Sequence, residues 1–114
     1  MHELGIVFHI LDSVKEVAQQ HDVVRVTSVT LEIGEVSGIV PDYLHDCWKW
    51  ACNREDMMRG CTLEVEQIPA ITYCEACEQT YATVPQGKTC PYCASGATYL
   101  VQGNETLIKE IEVL

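Results

Sequence analysis

The sequence has few basic residues and lacks any long hydrophobic run. Its 114 residues include 7 Lys and Arg against 17 Asp and Glu, which gives a formal charge of -10 at pH 7. Such a surface repels phosphate backbones and anionic lipid headgroups. No apolar stretch approaches the ~20 residues needed to span a bilayer. We therefore expect neither nucleic-acid binding nor a membrane span.

Signals for export and for catalysis are also missing. The chain begins Met1-His2-Glu3, whereas a signal peptide begins with a basic region, so a cytoplasmic location is expected. The sequence has no recognisable nucleophile–base pair and no phosphate-binding glycine loop. Its length is also too short for a large two-domain enzyme. The sequence therefore predicts a protein that is not an enzyme.

What is present is the composition of a folded protein, with 47% apolar and 21% charged residues. Residues 4–20 predict an amphipathic helix, because apolar side chains recur at three- and four-residue steps: Leu4, Val7, Phe8, Leu11, Val14, Val17 and Ala18. A second helix is predicted from Pro41, whose fixed φ suits a first helical turn. Its apolar side consists of Leu44, Cys47, Trp48, Ala51 and Cys52.

Three segments have the alternation of β-strands. In residues 23–33, the odd positions from Val29 are expected to face the core. Val24 and Val26 have the opposite parity, which leaves open a bulge near residues 27–28 or packing of the earlier stretch on another surface. A second strand is predicted over residues 61–66. A third strand, over residues 106–114, is expected to pair with the first two because a two-stranded sheet is only marginally stable. Its predicted apolar face consists of Leu107, Ile111 and Val113.

Four of the seven cysteines have the spacing of metal ligands. Cys74 and Cys77 form one C-x2-C pair, and Cys90 and Cys93 form a second after twelve intervening residues. Two such turns can present four thiolates tetrahedrally to one Zn²⁺ at ~2.3 Å. A closed site of four cysteines has no open position for substrate, so this zinc is expected to be structural. Iron in a rubredoxin-like site uses the same ligands and stays open, as do buried free cysteines and a redox pair.

The cysteine-bearing region, residues 70–104, is rich in Gly and Pro and has little helical period. The predicted fold class is therefore α+β, a small domain of two helices on a three-stranded sheet with an inserted four-cysteine zinc-ribbon module. The predicted boundaries are 1–69 plus 105–114 for the discontinuous α/β domain and 70–104 for the zinc-binding domain.

The remaining cysteines and three of the histidines are not expected to be ligands. Three cysteines without a matching spacing are expected to pack as small apolar side chains: Cys47, Cys52 and Cys61. Three histidines are expected to lie on helix surfaces or half-buried: His9 and His21 on the first helix and His45 on the second.

The N-terminus offers a second set of metal donors. The amine of Met1, the backbone nitrogen of His2 and its imidazole can close adjacent five- and six-membered chelate rings, and the Glu3 amide or carboxylate is available for a further position. Such tetragonal nitrogen sets suit Ni(II) or Cu(II). The initiator methionine is normally removed only when the second residue is small. Since His2 is large, Met1 is expected to be retained. A histidine at position 2 is by itself a weak signal.

The motifs together resemble the HypA/HybF family of nickel-insertion accessory proteins in [NiFe]-hydrogenase maturation. The resemblance covers the whole chain and rests on the two C-x2-C pairs, Met1-His2-Glu3 before a helix, and these segments: Leu31-Glu32-Ile33-Gly34, Val40-Pro41-Asp42-Tyr43-Leu44, Gly60-Cys61-Thr62-Leu63 and the return strand at 108–113.

This resemblance implies a metallochaperone with Ni²⁺ as transferred cargo at Met1, His2 and Glu3, in a nickel-binding α/β domain. It also implies structural Zn²⁺ at Cys74 and its three companions. The implied partners are a nickel-handling maturation GTPase and the [NiFe]-hydrogenase large subunit. In some relatives a histidine follows the cysteine pair, but neither pair is followed by one here. A proton-driven exchange of cysteine for histidine ligands is therefore not expected.

The residues alone leave two other functions open. One is a zinc-ribbon interaction module that binds partners through its acidic surface without functional nickel. The other is a rubredoxin-like electron carrier, which requires iron bound by the same four cysteines. A homodimer is also left open, because the sequence does not fix the oligomeric state.

Overall fold

A computed structural model of the chain describes residues 3–114. Its architecture is α+β, as predicted, with three α-helices and two three-stranded sheets among the described residues. The elements in chain order are α1 (Glu3–Gln20), β1 (Val26–Gly34), α2 (Pro41–Cys52), a 3-10 turn (Asp56–Met58), β2 (Thr62–Ile68), β3 (Ile71–Cys74), β4 (Thr80–Ala82), α3 (Thr83–Gln86), β5 (Thr98–Gln102) and β6 (Thr106–Val113).

The chain divides into two compact units. The first comprises the described part of Met1–Glu32, together with Ile39–Glu66 and Leu107–Leu114. The second comprises Ile33–Gly38 and Gln67–Thr106. The sheet in the order β2-β1-β6 contains both predicted early strands and the predicted return strand. No helix within residues 3–114 is long and apolar enough to cross a bilayer.

Helix α1 lies where the periodicity predicts it, but its buried face is rotated. The buried positions are Glu3, Val7, Ile10, Leu11, Val14 and Ala18. Leu4, Phe8 and Val17, which were predicted to be on the core stripe, are exposed. Apolar residues cover more of α1 than one neighbouring layer can bury, and Phe8 instead meets the Trp50 ring edge-on at a centroid distance of 6.2 Å.

Helix α2 begins at Pro41, as predicted, and buries Leu44, Trp48, Ala51 and Cys52. The indole Nε1–H of Trp48 donates a hydrogen bond to the carbonyl oxygen of Cys61 at 3.1 Å. The polar edge of this buried ring is therefore satisfied, as burial of a tryptophan requires.

Strand β1 begins three residues later than the predicted strand, at Val26. Val24 lies outside it and is exposed, whereas Val26, Val29, Leu31 and Ile33 are buried. The even-numbered Ser28 and Thr30 are also buried, so side chains of both parities are covered on β1, the central strand of its sheet. A bulge near residues 27–28 stays a prediction.

Strand β6 lies beside β1, as predicted, but the predicted apolar face is wrong. Leu107 and Val113 are exposed, and the half-buried residues are Ile108 and Ile111. An edge strand has a neighbour on only one side, so alternation alone does not fix which of its side chains are covered. Its end is held by a hydrogen bond of 3.0 Å from the Leu114 N–H to the Arg25 carbonyl oxygen.

The second unit contains a sheet that the sequence did not predict. Strand β3 is central and pairs antiparallel with β4 and with β5. The adjoining turns bring Cys74, Cys90 and Tyr81 into one small buried cluster. The Tyr81 hydroxyl donates to the Gly87 carbonyl oxygen at 3.0 Å. Gly34 approaches the Gly103 backbone so closely that a Cβ at Gly34 would clash with it.

Candidate metal centre

The two C-x2-C segments form knuckles with the same backbone geometry. In the first, the Cys74 N–H donates to the Gln79 carbonyl at 2.9 Å, and the Glu78 N–H donates to the Cys74 carbonyl at 2.8 Å. The second knuckle has the same two hydrogen bonds, to the residue five positions after its first cysteine and from the residue four positions after it. There the Cys90 N–H donates to the Ser95 carbonyl at 3.0 Å, and the Ala94 N–H donates to the Cys90 carbonyl at 2.8 Å.

The two knuckles bring all four predicted ligands together. The Sγ atoms of Cys74, Cys77, Cys90 and Cys93 all lie within 4.8 Å of one another. The distances Cys74 Sγ–Cys93 Sγ and Cys77 Sγ–Cys90 Sγ are both 3.6 Å. A tetrahedron of sulfurs ~2.3 Å from Zn²⁺ has edges of about 3.8 Å. The four sulfurs therefore match the size of a tetrahedral metal site.

The four sulfurs differ in how deeply they are buried. Cys74 is the last residue of β3 and is fully buried, and Cys90 is also buried. Cys77 is half-buried and Cys93 is exposed. Each knuckle thus contributes one sulfur from the core of the module and one from nearer its surface. The backbone N–H of Tyr92 donates to the Cys90 sulfur at 3.4 Å.

Three thiols of the four-cysteine cluster, those of Cys74, Cys77 and Cys93, have pKa values that are shifted in different directions. The backbone N–H of Cys77 donates to the Cys74 sulfur and lowers the pKa of that thiol to about 7, although burial opposes it. Burial raises the pKa of Cys77 to about 12, with the hydrogen bond to Cys90 acting in the same direction. For Cys93, the backbone N–H of Ser95 lowers the pKa, but partial desolvation of the sulfur beside its neighbours and the hydrogen bond with the Cys74 thiol outweigh this effect, and the net shift is upward. A metal that binds here must displace protons from thiols.

The residue that follows each knuckle adopts a left-handed backbone. The φ angles of Glu78 and Ala94 are 59° and 63°, a region that disfavours residues with a Cβ. Because the same strain occurs at both equivalent positions, the turn geometry imposes it. This geometry directs backbone N–H groups toward the sulfur atoms.

The predicted nickel ligands fall partly outside the described residues. Met1 and His2 lie outside them. Glu3 lies in the first turn of α1 and is buried, with an exposed fraction of 1%. Its Oε2 accepts a hydrogen bond from the Val40 N–H at 2.8 Å. Periodicity did not indicate this burial, since a glutamate before an apolar stripe usually faces solvent.

The other cysteines and histidines largely follow the predictions. Cys52 and Cys61 are buried and Cys47 is half-buried. Burial raises the pKa of Cys52 to about 12 and that of Cys61 to about 11. His21 was predicted on the first helix but lies just beyond its end at Gln20. Among residues 3–114, the four knuckle cysteines form the group with metal-site geometry, and no histidine joins it.

Comparison with known proteins identifies the family. The HypA family model, described as hydrogenase/urease nickel incorporation, metallochaperone, matches residues 1–113. Hydrogenase maturation factor HybF of Klebsiella pneumoniae is 34% identical over 112 residues, which is 98% of each chain. Hydrogenase maturation factor HypA of Geotalea uraniireducens is 36% identical over 114 residues, which is 99% of each chain.

A solved structure has the same fold. The solution structure of the Ni metallochaperone HypA from Helicobacter pylori superimposes with a TM-score of 0.76 at 20% identity, covering 100% of this chain and 98% of that one. The resemblance indicated by the sequence motifs is thereby confirmed. This chain belongs to the HypA family, whose members are metallochaperones and maturation factors and not catalytic enzymes.

Proposed function

We propose that the protein binds Ni(II) at Met1, His2 and Glu3 and helps deliver it to the large subunit of [NiFe]-hydrogenase. The observation that carries this proposal is the family match across residues 1–113, which includes the N-terminal motif. Two relatives at 34–36% identity are named hydrogenase maturation factors. The chemistry is transfer of the ion by ligand exchange rather than by covalent bond formation.

Chemical reasons support nickel at the terminus. The Met1 amine and the backbone and imidazole nitrogens of His2 supply three donors with adjacent chelate rings, and the Glu3 amide can complete a tetragonal set, which suits Ni(II). A backbone nitrogen loses its proton to bind in this way, so nickel affinity rises with pH. A site at the chain end with few donors can bind its ion selectively and still release it to an acceptor.

A structural Zn²⁺ is proposed for Cys74, Cys77, Cys90 and Cys93. The sulfur separations of 3.6 Å support this assignment, as does the similarity of the knuckles. Four thiolates complete a tetrahedral shell and leave no position for a reacting group. With zinc, the formal charge of the chain falls from -10 by two more units, because four thiolates outweigh one divalent ion.

The two metals define the proposed domains. Residues 1–69 plus 105–114 form the nickel-binding domain, and residues 70–104 form the zinc-binding domain. About 35 residues bury too little surface to fold independently of a metal, so zinc supplies folding free energy to the second domain. The proposed setting is the cytoplasm, where reduced thiols persist.

The proposed partners are a nickel-handling maturation GTPase, which supplies or receives the ion, and the hydrogenase large subunit. A homodimer is a further proposed state. The acidic surface favours partners with basic docking sites, because charge complementarity accelerates association and selects partners.

A transfer assay tests the proposal. Protein loaded with one equivalent of Ni(II) is mixed with the purified hydrogenase large-subunit precursor, and nickel in the precursor is measured after separation. The protein is expected to transfer nickel faster than the same concentration of nickel–glycine chelate. The His2→Ala variant is the control and is expected to transfer no more than the chelate. Equal transfer by both proteins would contradict the proposal and favour an interaction module without a nickel role.

A further inference from the structure

Glu3 is a buried carboxylate at the start of α1, on the same face as Val7 and Ile10. Its side chain is almost fully buried, with an exposed fraction of 1%. A glutamate is seldom buried to this extent unless its charge is compensated, because desolvation of a carboxylate is costly. The group that compensates the Glu3 charge therefore indicates the role of this side chain.

The carboxylate of Glu3 lies at the beginning of a second helix. Its Oε2 accepts the Val40 N–H at 2.8 Å, and Val40 is the N-cap of α2, with extended φ and ψ of -93° and 113°. Val40 has no side-chain acceptor of its own with which to cap α2. The N-terminus of a helix carries partial positive charge and favours an anion. Glu3 thus supplies an anion to α2 from the first turn of α1.

We propose that the Glu3 side chain is a positioning residue that ties the base of the N-terminal chelate to the start of α2. This inference rests on the proposed nickel site, because His2 directly precedes Glu3 in the sequence. A nickel ion that took the Glu3 carboxylate as a ligand would have to remove it from Val40 and from the core. The carboxylate therefore holds the fold, and the donor that Glu3 offers to the metal is its backbone amide nitrogen.

Anchoring has a consequence for nickel affinity. A chelate whose base is fixed loses less conformational freedom on binding than one on an untethered chain end. Loss of the anchor is expected to weaken Ni(II) binding about tenfold, with the donor atoms unchanged. Loss of a donor would instead change the ligand-field absorption spectrum of the bound ion.

The test compares Glu3→Gln and Glu3→Ala with the native protein by calorimetric Ni(II) titration and ligand-field spectroscopy. Glutamine keeps a carbonyl oxygen that can accept from Val40, so Glu3→Gln is expected to lose only about threefold in affinity. Glu3→Ala is expected to lose about tenfold or more. Both spectra should keep the native band positions. Glu16→Ala, at an exposed position of the same helix, is the control and should behave as native.

Amide hydrogen exchange at Val40 separates this inference from the proposed nickel site. Exchange of the Val40 N–H should accelerate at least tenfold in Glu3→Ala and remain near native in His2→Ala, with no nickel present. Shifted nickel bands in Glu3→Gln would make the carboxylate a ligand and overturn the inference. So would native Val40 exchange in Glu3→Ala. Nickel binding by His2→Ala would instead refute the proposed nickel site. Exchange of the Val40 N–H in Glu3→Ala would still decide whether the Glu3 carboxylate anchors the start of α2. If Glu3→Ala fails to fold, the Glu3→Gln spectrum and Val40 exchange decide.

Discussion

The Sγ atoms of Cys77 and Cys90 lie 3.6 Å apart, although the two residues belong to different knuckles. The Cys74 and Cys93 sulfurs form the second such pair at the same distance. Each close pair therefore joins the first knuckle to the second. A metal that binds all four sulfurs links the two ends of the module, so that its removal should affect the whole module rather than one turn.

Cys74→Ser is expected to release zinc and to unfold residues 70–104 while α1 remains folded. Zinc binding to structural sites of this kind contributes about 10–16 kcal/mol at neutral pH, and loss of one thiolate removes much of it. Zinc content by elemental analysis and amide exchange by mass spectrometry provide the measurements. Cys47→Ser, outside the cluster, is the matched control. Cooperative collapse of the entire chain in Cys74→Ser would show that the two units fold as one.

Ala94→Gly is expected to stabilise the protein by about 1 kcal/mol, because glycine relieves the left-handed backbone at a φ of 63°. Ala76→Gly is the matched control within the first knuckle, where the backbone is not left-handed. This control should be neutral or destabilising by up to about 1 kcal/mol. Chemical denaturation of the zinc-loaded variants gives both values. A greater gain from Ala76→Gly than from Ala94→Gly would refute the strain argument.

Removal of residues 106–114 is expected to destabilise the first unit, although these residues follow the zinc module in the sequence. The deletion strips β6 from β1 and leaves two strands, which are marginal without further pairing. Thermal unfolding and the strand signal in circular dichroism would report the loss. Lys109→Ala serves as the comparison, because it removes only the exposed ion pair with Glu66 at 2.8 Å and should cost no more than about 1 kcal/mol. An unchanged midpoint after deletion would make the tail dispensable.

The buried thiols Cys52 and Cys61 are expected to resist alkylation at pH 8. Their pKa values, raised to about 12 and about 11, keep them protonated, and the thiolate is the reactive form. Cys47 is half-buried and should react first with iodoacetamide in the zinc-loaded protein.

The same two buried thiols, Cys52 and Cys61, make the free energy of unfolding depend on pH. Since their folded-state pKa values lie above the ordinary thiol value of about 8.5, the free energy of unfolding should be retained below that pH and decline as pH rises toward 11–12. Peptide mapping after timed alkylation, followed by denaturation at several pH values, checks both expectations.

The sequence was most informative where residue spacing determines the structure. The knuckles could be predicted because two residues between cysteines allow one tight turn to present both sulfurs to one metal. Pro41 marked the start of α2 because its φ is fixed and a first-turn residue needs no N–H partner.

Tertiary contacts determined what the sequence alone did not predict. Leu4 and Phe8 lie on the periodic stripe of α1 but are exposed, because burial depends on where neighbouring elements pack and not on periodicity alone. The Glu3 anchor pairs residues 37 positions apart, and no local pattern relates them. The sheet of the second unit consists of strands of three to five residues, too short for alternation to indicate them.

Nickel titration of the native, His2→Ala and N-terminally acetylated proteins tests the proposed nickel site most directly. Equilibrium dialysis or calorimetry at two pH values should give one Ni(II) per native chain, with tighter binding and proton release at the higher pH. Both altered forms should lose stoichiometric binding while zinc content and thermal midpoint stay near native, since one lacks the imidazole and the other the free amine. Native-like nickel binding by both altered forms would contradict a chelate at Met1 and His2.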